Sequence, residues 1–207
     1  MTSQEGSLTL VNFPMCPYAH RAVICAREKG LEHIHYRDIN LYDKSKYFTE
    51  TYHKAFGHEK TSNGRVPILI DDGKYLAESD LICWYFGEKY KTGNNVIPED
   101  HLERAKMRWF CQTVPRRIII MFFYFRGFLE KNQEQKQKVL DKALETLQLV
   151  EDNIKGPYVL GEEFSLADIM IYPWFERWIA IKTLFGLDLD PVKHRKIIEF
   201  TKTMKQR

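Results

Sequence analysis

A chain of 207 residues can hold one large domain or two small ones, and 44% hydrophobic with 29% charged residues excludes a disordered or low-complexity protein. A formal net charge of +3, with Lys and Arg interspersed among acids, excludes a dedicated nucleic-acid binder, the basic and aromatic stretch Arg116 to Arg126 included. The longest apolar run, Ile118 to Phe125, spans eight residues, where a membrane-spanning helix needs roughly 20.

Met1 to Ser7 is polar and carries no basic segment, so no secretion signal is read there and a cytoplasmic protein is expected. The four cysteines, Cys16, Cys25, Cys83 and Cys111, have neither CxxC spacing nor the density of a disulfide scaffold. Free thiols in a reducing compartment are the expectation. No His or Cys lies at zinc-site spacing from Cys16, so no metal is expected.

In chain order, residues 7–13 alternate and predict a strand. Met15-Cys16-Pro17 turns into a helix that runs to about Lys29 and stops at Gly30. His33 to Asn40 is a second short alternating run, Tyr42 to Tyr52 a second helix, and His58 to Gly64 a polar loop. Residues 66–70 read as a strand. Pro67 near its start requires an edge, a bulge or a cis bond. Asp72-Gly73 marks a hairpin, Lys74 to Ala77 the return strand, and Ser79 opens a helix to about Tyr90. The order β-α-β-α-β-β-α predicts an α/β domain over 1–90, a small mixed sheet with helices on its faces. A Gly-, Asn- and Pro-bearing linker follows over 91–98, and from 99 to 207 the pattern is all-α. There, Val139, Leu140, Ala143, Leu144, Leu147, Val150 and Ile154 share one helical stripe. Ser165 to Asp168 is a capping-box start for a helix through about Lys182, and Asp190-Pro191 opens a last helix.

Cys16 falls where the first strand ends and the first helix begins. Unsatisfied N–H groups and the helix dipole favour a negative charge at such a place. Thiols at helix N-termini titrate at about 3.5–7.5 rather than about 8.5. Pro17 suits the first helical position, and Arg21 either adds positive charge one turn on or points to solvent. A buried structural cysteine is the plain alternative, and that role is assigned to Cys25, Cys83 and Cys111. Position 19 holds Ala, where a dithiol motif would place its resolving cysteine. A reacting Cys16 must therefore work as a monothiol, its mixed disulfide released by an external thiol.

Cys16-Pro17-Tyr18-Ala19 resembles the glutaredoxin active-site turn without its second cysteine. With Val66-Pro67, Glu78-Ser79 and a helical second domain, residues 8 to 185 resemble a cytosolic glutathione transferase with a thioredoxin-like N-terminal domain. Cys16-Pro17-Tyr18-Ala19-His20-Arg21 and Pro173-Trp174-Phe175-Glu176-Arg177 are similar to the omega class and its lambda and dehydroascorbate-reductase relatives. The resemblance implies that Cys16 forms a mixed disulfide with glutathione, beside Pro17 and Tyr18. It implies that Val66, before a cis Pro67, offers its backbone to the cysteinyl part of glutathione. Glu78 and Ser79 then bind the γ-glutamyl end, and Lys44 reaches the glycyl carboxylate. Trp174, Arg177 and Trp178 line an acceptor pocket, and Asp168 is a structural cap. Each has a plain alternative: Ser79 as N-cap only, Lys44 as surface lysine, Pro67 in trans, the tryptophans as core.

Three departures stand out. His20 replaces the usual Gln or Glu, 58–64 reads as an insertion, and the end at Arg207 is early for the omega class. The implied activity is thiol transfer or dehydroascorbate reduction, with glutathione as cosubstrate, a small or protein disulfide or electrophile as acceptor, and a homodimer as the assembly. The alternative is a non-enzymatic protein of this fold, either a membrane-associating one of the intracellular chloride channel type or a partner-binding module.

Overall fold

A computed structural model describes residues 7–56, 64–125, 129 and 131–207. The chain forms two compact units, Met1–Ile97 and Pro98–Arg207. In the first, the elements are β1 (Leu8–Asn12), α1 (Pro17–Glu28), β2 (His35–Asp38), α2 (Lys46–Phe56), β3 (Ile68–Asp71), β4 (Lys74–Ala77) and α3 (Ser79–Lys89). In the second they are α4 (His101–Phe125), α5 (Gln133–Asn153), α6 (Leu166–Glu176), α7 (Trp178–Phe185) and α8 (Arg195–Lys205).

The sheet order is β2-β1-β3-β4, with β1 parallel to β2 and antiparallel to β3, and β3 antiparallel to β4. Leu10 pairs with Tyr36 on one side and Leu69 on the other, so β1 sits inside the sheet and both its neighbours set its register. Helix α1 buries Ala19, Arg21, Ala22, Cys25 and Ala26 and packs on α3. Helix α2 contributes Phe48, Thr51 and Tyr52 and packs on β3 and β4. Val11, Ala19, Phe48, Tyr52, Val66 and Ile68 form a buried cluster, with Phe13, Cys16, Ile39 and Leu41 packed at its margin. Pro67 lies just ahead of the central strand β3, and the Val66–Pro67 peptide is cis.

Helix α2 begins four residues later than the sequence pattern predicts. The Asn40 side chain accepts the Tyr42 N–H at 2.9 Å, making a turn, and Ser45 Oγ accepts the Phe48 N–H at 3.3 Å. These side chains hold 40–45 out of the helix. The segment after α3 is anchored. Asn94 N–H donates to Glu28 O at 2.8 Å, and Lys29 Nζ donates to Asn94 O at 2.8 Å. Gly93 has φ +62, and a Cβ there would stand 2.2 Å from Glu28 O, so the close approach requires glycine.

In the second unit, α4 packs on α5 and α6, and α8 on α5 and α6. Val139, Ala143, Leu147 and Val150 are buried as the stripe predicts, but Leu144 is 44% exposed. The single helix expected through Lys182 is two. Pro173 lies inside α6, and Arg177 N–H turns to Trp174 O at 3.2 Å instead of continuing the ladder. The Pro173 carbonyl instead accepts Arg177 Nη1 at 2.9 Å, so Arg177 breaks the helix with its own side chain. The last helix also starts later than Asp190-Pro191. Asp190 caps a separate turn through Val192 N–H and Lys193 N–H, while the N-terminus of α8 donates to the Glu151 carboxylate of α5 at 2.9 and 3.0 Å.

Candidate functional site

Cys16 is the N-cap of α1, with φ −81 and ψ 119 and no capping bond from its side chain. Its N–H donates to Phe13 O at 2.8 Å and its carbonyl accepts His20 N–H at 3.0 Å, so backbone alone holds the turn and the sulfur is left over. The thiol is half-buried, and its Sγ lies 4.0 Å from the Val66 carbonyl. Cys16 and the cis Val66–Pro67 peptide thus meet although 50 residues apart in sequence.

Of the other predicted residues of this unit, Tyr18 lies within electrostatic reach of Cys16 and Glu78, Ser79 is linked to Tyr18 through Arg21, and Lys44 lies on a separate loop. Burial pushes the Tyr18 phenol above its ordinary value. Arg21 and Arg65 oppose that push with positive charge, and Cys16 and Glu78 add to it. Tyr18 therefore stands within electrostatic reach of all four. Ser79 is buried at the first position of α3, and Glu78 before it is exposed as the N-cap, with φ 72 and ψ 122. A non-glycine residue held there costs about 1–3 kcal/mol and needs its surroundings to hold it. Lys44 is exposed on the loop ahead of α2. The stretch 58–64 falls outside the described residues except for Gly64.

Two basic residues act on Tyr18: Arg21, which the sequence left between the site and solvent, and Arg65, which it did not single out. Arg21 is not in solvent: it is 5% exposed, donates from Nη1 to Ser79 Oγ at 3.2 Å, and stands 5.4 Å from the centre of the Tyr18 ring. Its position one turn past Cys16 was the available signal, but which way a helix face turns is decided by the packing of α1 on α3. Arg65, exposed beside Val66, gives no signal beyond its charge.

In the helical unit, Trp174 and Trp178 are buried, Trp178 stacked on Phe175 and edge-on to Phe122. Among the described residues the Trp178 indole N–H meets no hydrogen-bond partner. The Arg177 side chain is 28% exposed and pairs with Glu176. Asp168 is fully buried and accepts from Val159 N–H at 2.7 Å, Ser165 N–H at 2.8 Å and Ser165 Oγ at 3.1 Å, completing the capping box of α6. Its role is structural. Among the described residues no group of three His, Cys, Asp or Glu side chains is arranged to hold a metal, and no helix is long and apolar enough to cross a membrane.

A thiol at the strand-to-helix turn, a cis X–Pro peptide against it and a serine at a second helix N-terminus form a site suited to a small thiol peptide with carboxylates. Comparison with known proteins agrees. The family model described as glutathione S-transferase, N-terminal domain matches residues 15–89, and that described as glutathione S-transferase, C-terminal domain matches 113–207. Glutathione S-transferase omega-1 of Sus scrofa is 27% identical over 188 residues, 90% of this chain and 73% of that protein. Glutathione S-transferase U22 of Arabidopsis thaliana is 29% identical over 186 residues, 88% of this chain and 78% of that protein. The crystal structure of glutathione transferase Omega 3C from Trametes versicolor superposes with a TM-score of 0.82 at 27% identity, covering 97% of this chain and 86% of that one. With family models matching in both halves and omega proteins similar over most of its length, the chain belongs to the glutathione S-transferase family as an omega-like, glutathione-dependent transferase.

Proposed function

We propose that the chain is a monothiol glutathione-dependent thiol transferase, with Cys16 as its catalytic residue. The observation that carries this reading is the half-buried Cys16 sulfur at the N-terminus of α1, 4.0 Å from the Val66 carbonyl. A tyrosine or serine at this position would assist a free glutathione thiolate. A cysteine instead forms a disulfide with glutathione. The Cys16 thiolate attacks a disulfide sulfur, the Cys16–glutathione bond forms, and the leaving sulfur departs as thiolate. A second glutathione thiolate then attacks the mixed disulfide, releasing glutathione disulfide and restoring Cys16. Ala19 supplies no resolving thiol, and Cys25 and Cys83 are fully buried.

In this reading the cysteinyl backbone of glutathione bonds to Val66, next to Pro67, while Pro17 and Tyr18 border it. Ser79 and the N-terminus of α3 receive the γ-glutamyl carboxylate, with the Arg21 guanidinium behind the Ser79 hydroxyl. The exposed Glu78 carboxylate faces the γ-glutamyl ammonium, and Lys44 meets the glycyl carboxylate. Units 1–90 and 99–207 act as glutathione-binding and helical domains. The chain works as a cytoplasmic homodimer, which sedimentation velocity tests directly; a monomeric mass at micromolar concentration would overturn the assembly. Dehydroascorbate is an acceptor to assay beside small disulfides.

The deciding experiment is intact mass after incubation with glutathione disulfide, for wild type and Cys16→Ala, followed by turnover with reduced glutathione. An adduct on wild type alone, removed during turnover, is expected, with activity lost in Cys16→Ala. Activity retained without Cys16 would overturn the reading.

A further inference from the structure

Helices α1 and α3 meet at two polar contacts with the same sequence offset. Arg21 Nη1 donates to Ser79 Oγ at 3.2 Å, and one turn further along both helices Cys25 Sγ donates to the Cys83 carbonyl at 3.5 Å. Each pair is 58 residues apart, so the helices run side by side in one direction and the contacts are successive rungs between them. The first rung ends on Ser79, which the proposed site gives to the γ-glutamyl carboxylate. The second rung is made of thiols. Cys25 and Cys83 are both free and fully buried, and their side chains lie within hydrogen-bonding reach of each other. A single buried cysteine is ordinarily inert packing. Two that face each other across a helix pair hold the atoms of a disulfide.

We propose that Cys25 and Cys83 are an oxidative modification site, a dithiol that hydrogen peroxide converts to an interhelical disulfide, and that this disulfide weakens glutathione binding through the Arg21–Ser79 rung. The weakening rests on the glutathione site proposed above; formation of the disulfide does not. Burial keeps large oxidants, glutathione disulfide among them, away from both sulfurs, whereas peroxide is small and uncharged. Burial also pushes the Cys83 thiol well above its ordinary value. The Cys25 side chain adds to that push and Arg21 opposes it, so Cys83 keeps its proton and the first oxidation falls to Cys25. The Cys25 sulfur attacks one peroxide oxygen; the S–O bond forms, the O–O bond breaks and water leaves. The Cys83 sulfur then attacks the Cys25 sulfur. The S–S bond forms, the S–O bond breaks and a second water leaves with the Cys83 proton. Two thiols are oxidised and one peroxide is reduced to two waters. A disulfide holds its sulfurs about 2 Å apart, closer than any hydrogen-bonded pair. Helices α1 and α3 must therefore shift at this rung. A close-packed interior passes that strain to the Arg21–Ser79 bond one turn, about 5.4 Å, away.

The test uses Cys16→Ala, so that peroxide cannot act at the site thiol, and S-methylglutathione, which carries no thiol. After peroxide treatment, remaining thiols are alkylated in denaturant and the peptides are mapped by mass. A Cys25–Cys83 cross-linked peptide is expected, lighter by two hydrogens than its reduced halves together. By calorimetry, the dissociation constant of S-methylglutathione should rise about tenfold on oxidation, the worth of one charge-assisted hydrogen bond. Cys16→Ala/Cys25→Ala and Cys16→Ala/Cys83→Ala should bind as the reduced protein does and should not respond to peroxide. Recovery of both cysteines as alkylated thiols, or a disulfide that leaves the dissociation constant unmoved, would overturn the proposal. S-methylglutathione that fails to bind even the reduced protein would instead reject the glutathione site, and the peptide map would still decide the disulfide.

Discussion

Glu78 is assigned a part in both stability and binding. Its backbone sits at φ 72 while its carbonyl accepts the Ile82 N–H at 3.0 Å to open α3. Glycine adopts that conformation without the side-chain clash, so Glu78→Gly should stabilise the fold by about 1 kcal/mol after glycine's own entropic cost. The same change removes the carboxylate assigned to the γ-glutamyl ammonium and should raise KM for glutathione about tenfold or more. Glu78→Gln separates the two: KM rises and the melting temperature does not. If Glu78→Gly leaves KM unchanged, the carboxylate does not touch glutathione. In the proposed site Arg21 stands one layer further back, behind Ser79. Arg21→Met should raise KM for glutathione about tenfold by removing the buried charge behind the carboxylate site. Arg21→Lys should recover part of that loss, and a KM unmoved in both variants would make Arg21 purely structural.

The elements show what a sequence can and cannot disclose. The strands, the turn at Cys16-Pro17, the hairpin at Asp72-Gly73 and the capping box at Ser165 rest on local chemistry, and each lies where local chemistry puts it. The shifts occur where a side chain overrides periodicity: Asn40 and Ser45 delay α2, and Arg177 splits α6 from α7. The Glu151 cap on α8 spans 45 residues and has no local signature. At the site, Cys16 and Ser79 were legible from their helix starts. The inward turn of Arg21 was not, because a helix face is chosen by packing. Asp168 is the clearest test of a local device holding a helical unit. Asp168→Ala leaves the buried Val159 and Ser165 N–H groups without their acceptor and should cost about 3 kcal/mol or more in urea unfolding. A loss below about 1 kcal/mol would mean that water replaces the carboxylate, as it does at exposed caps.

At the scale of the whole molecule the units divide the work. The thiol to which catalysis is assigned lies in the first, and two buried groups with shifted titration, Asp168 and His194, lie in the second. Burial pushes the Asp168 carboxyl from 3.8 up to about 6, against the pull of its hydrogen bonds from Val159 and Ser165. Its folded state holds the proton more tightly than the unfolded chain. The stability from this group is full below about 3.8 and is lost as pH rises through about 6, a change of about 3 kcal/mol. His194 has the opposite sign. Burial lowers its value from 6.5, Glu151 and Asp190 pull it up, Lys193 pushes it down, and Nδ1 accepts the Asp190 N–H at 2.9 Å. Its neutral form belongs to the fold, so its contribution is present above 6.5 and is lost as pH falls through its lowered folded value. Where the two windows overlap, below 6.5 and down to the lowered folded value of His194, the two oppose each other, and wild type should show a flatter profile there than either group alone would give. Variants separate them. The stability of wild type minus that of Asp168→Asn should fall by about 2.5 kcal/mol from pH 4 to 7. Wild type minus His194→Asn, which keeps an acceptor for Asp190, should rise over the same interval. Urea unfolding at half-unit pH steps reads both differences. A level difference for Asp168→Asn would mean that the three hydrogen bonds to the carboxylate offset its burial, and His194 would then be the larger source of the helical unit's response to pH.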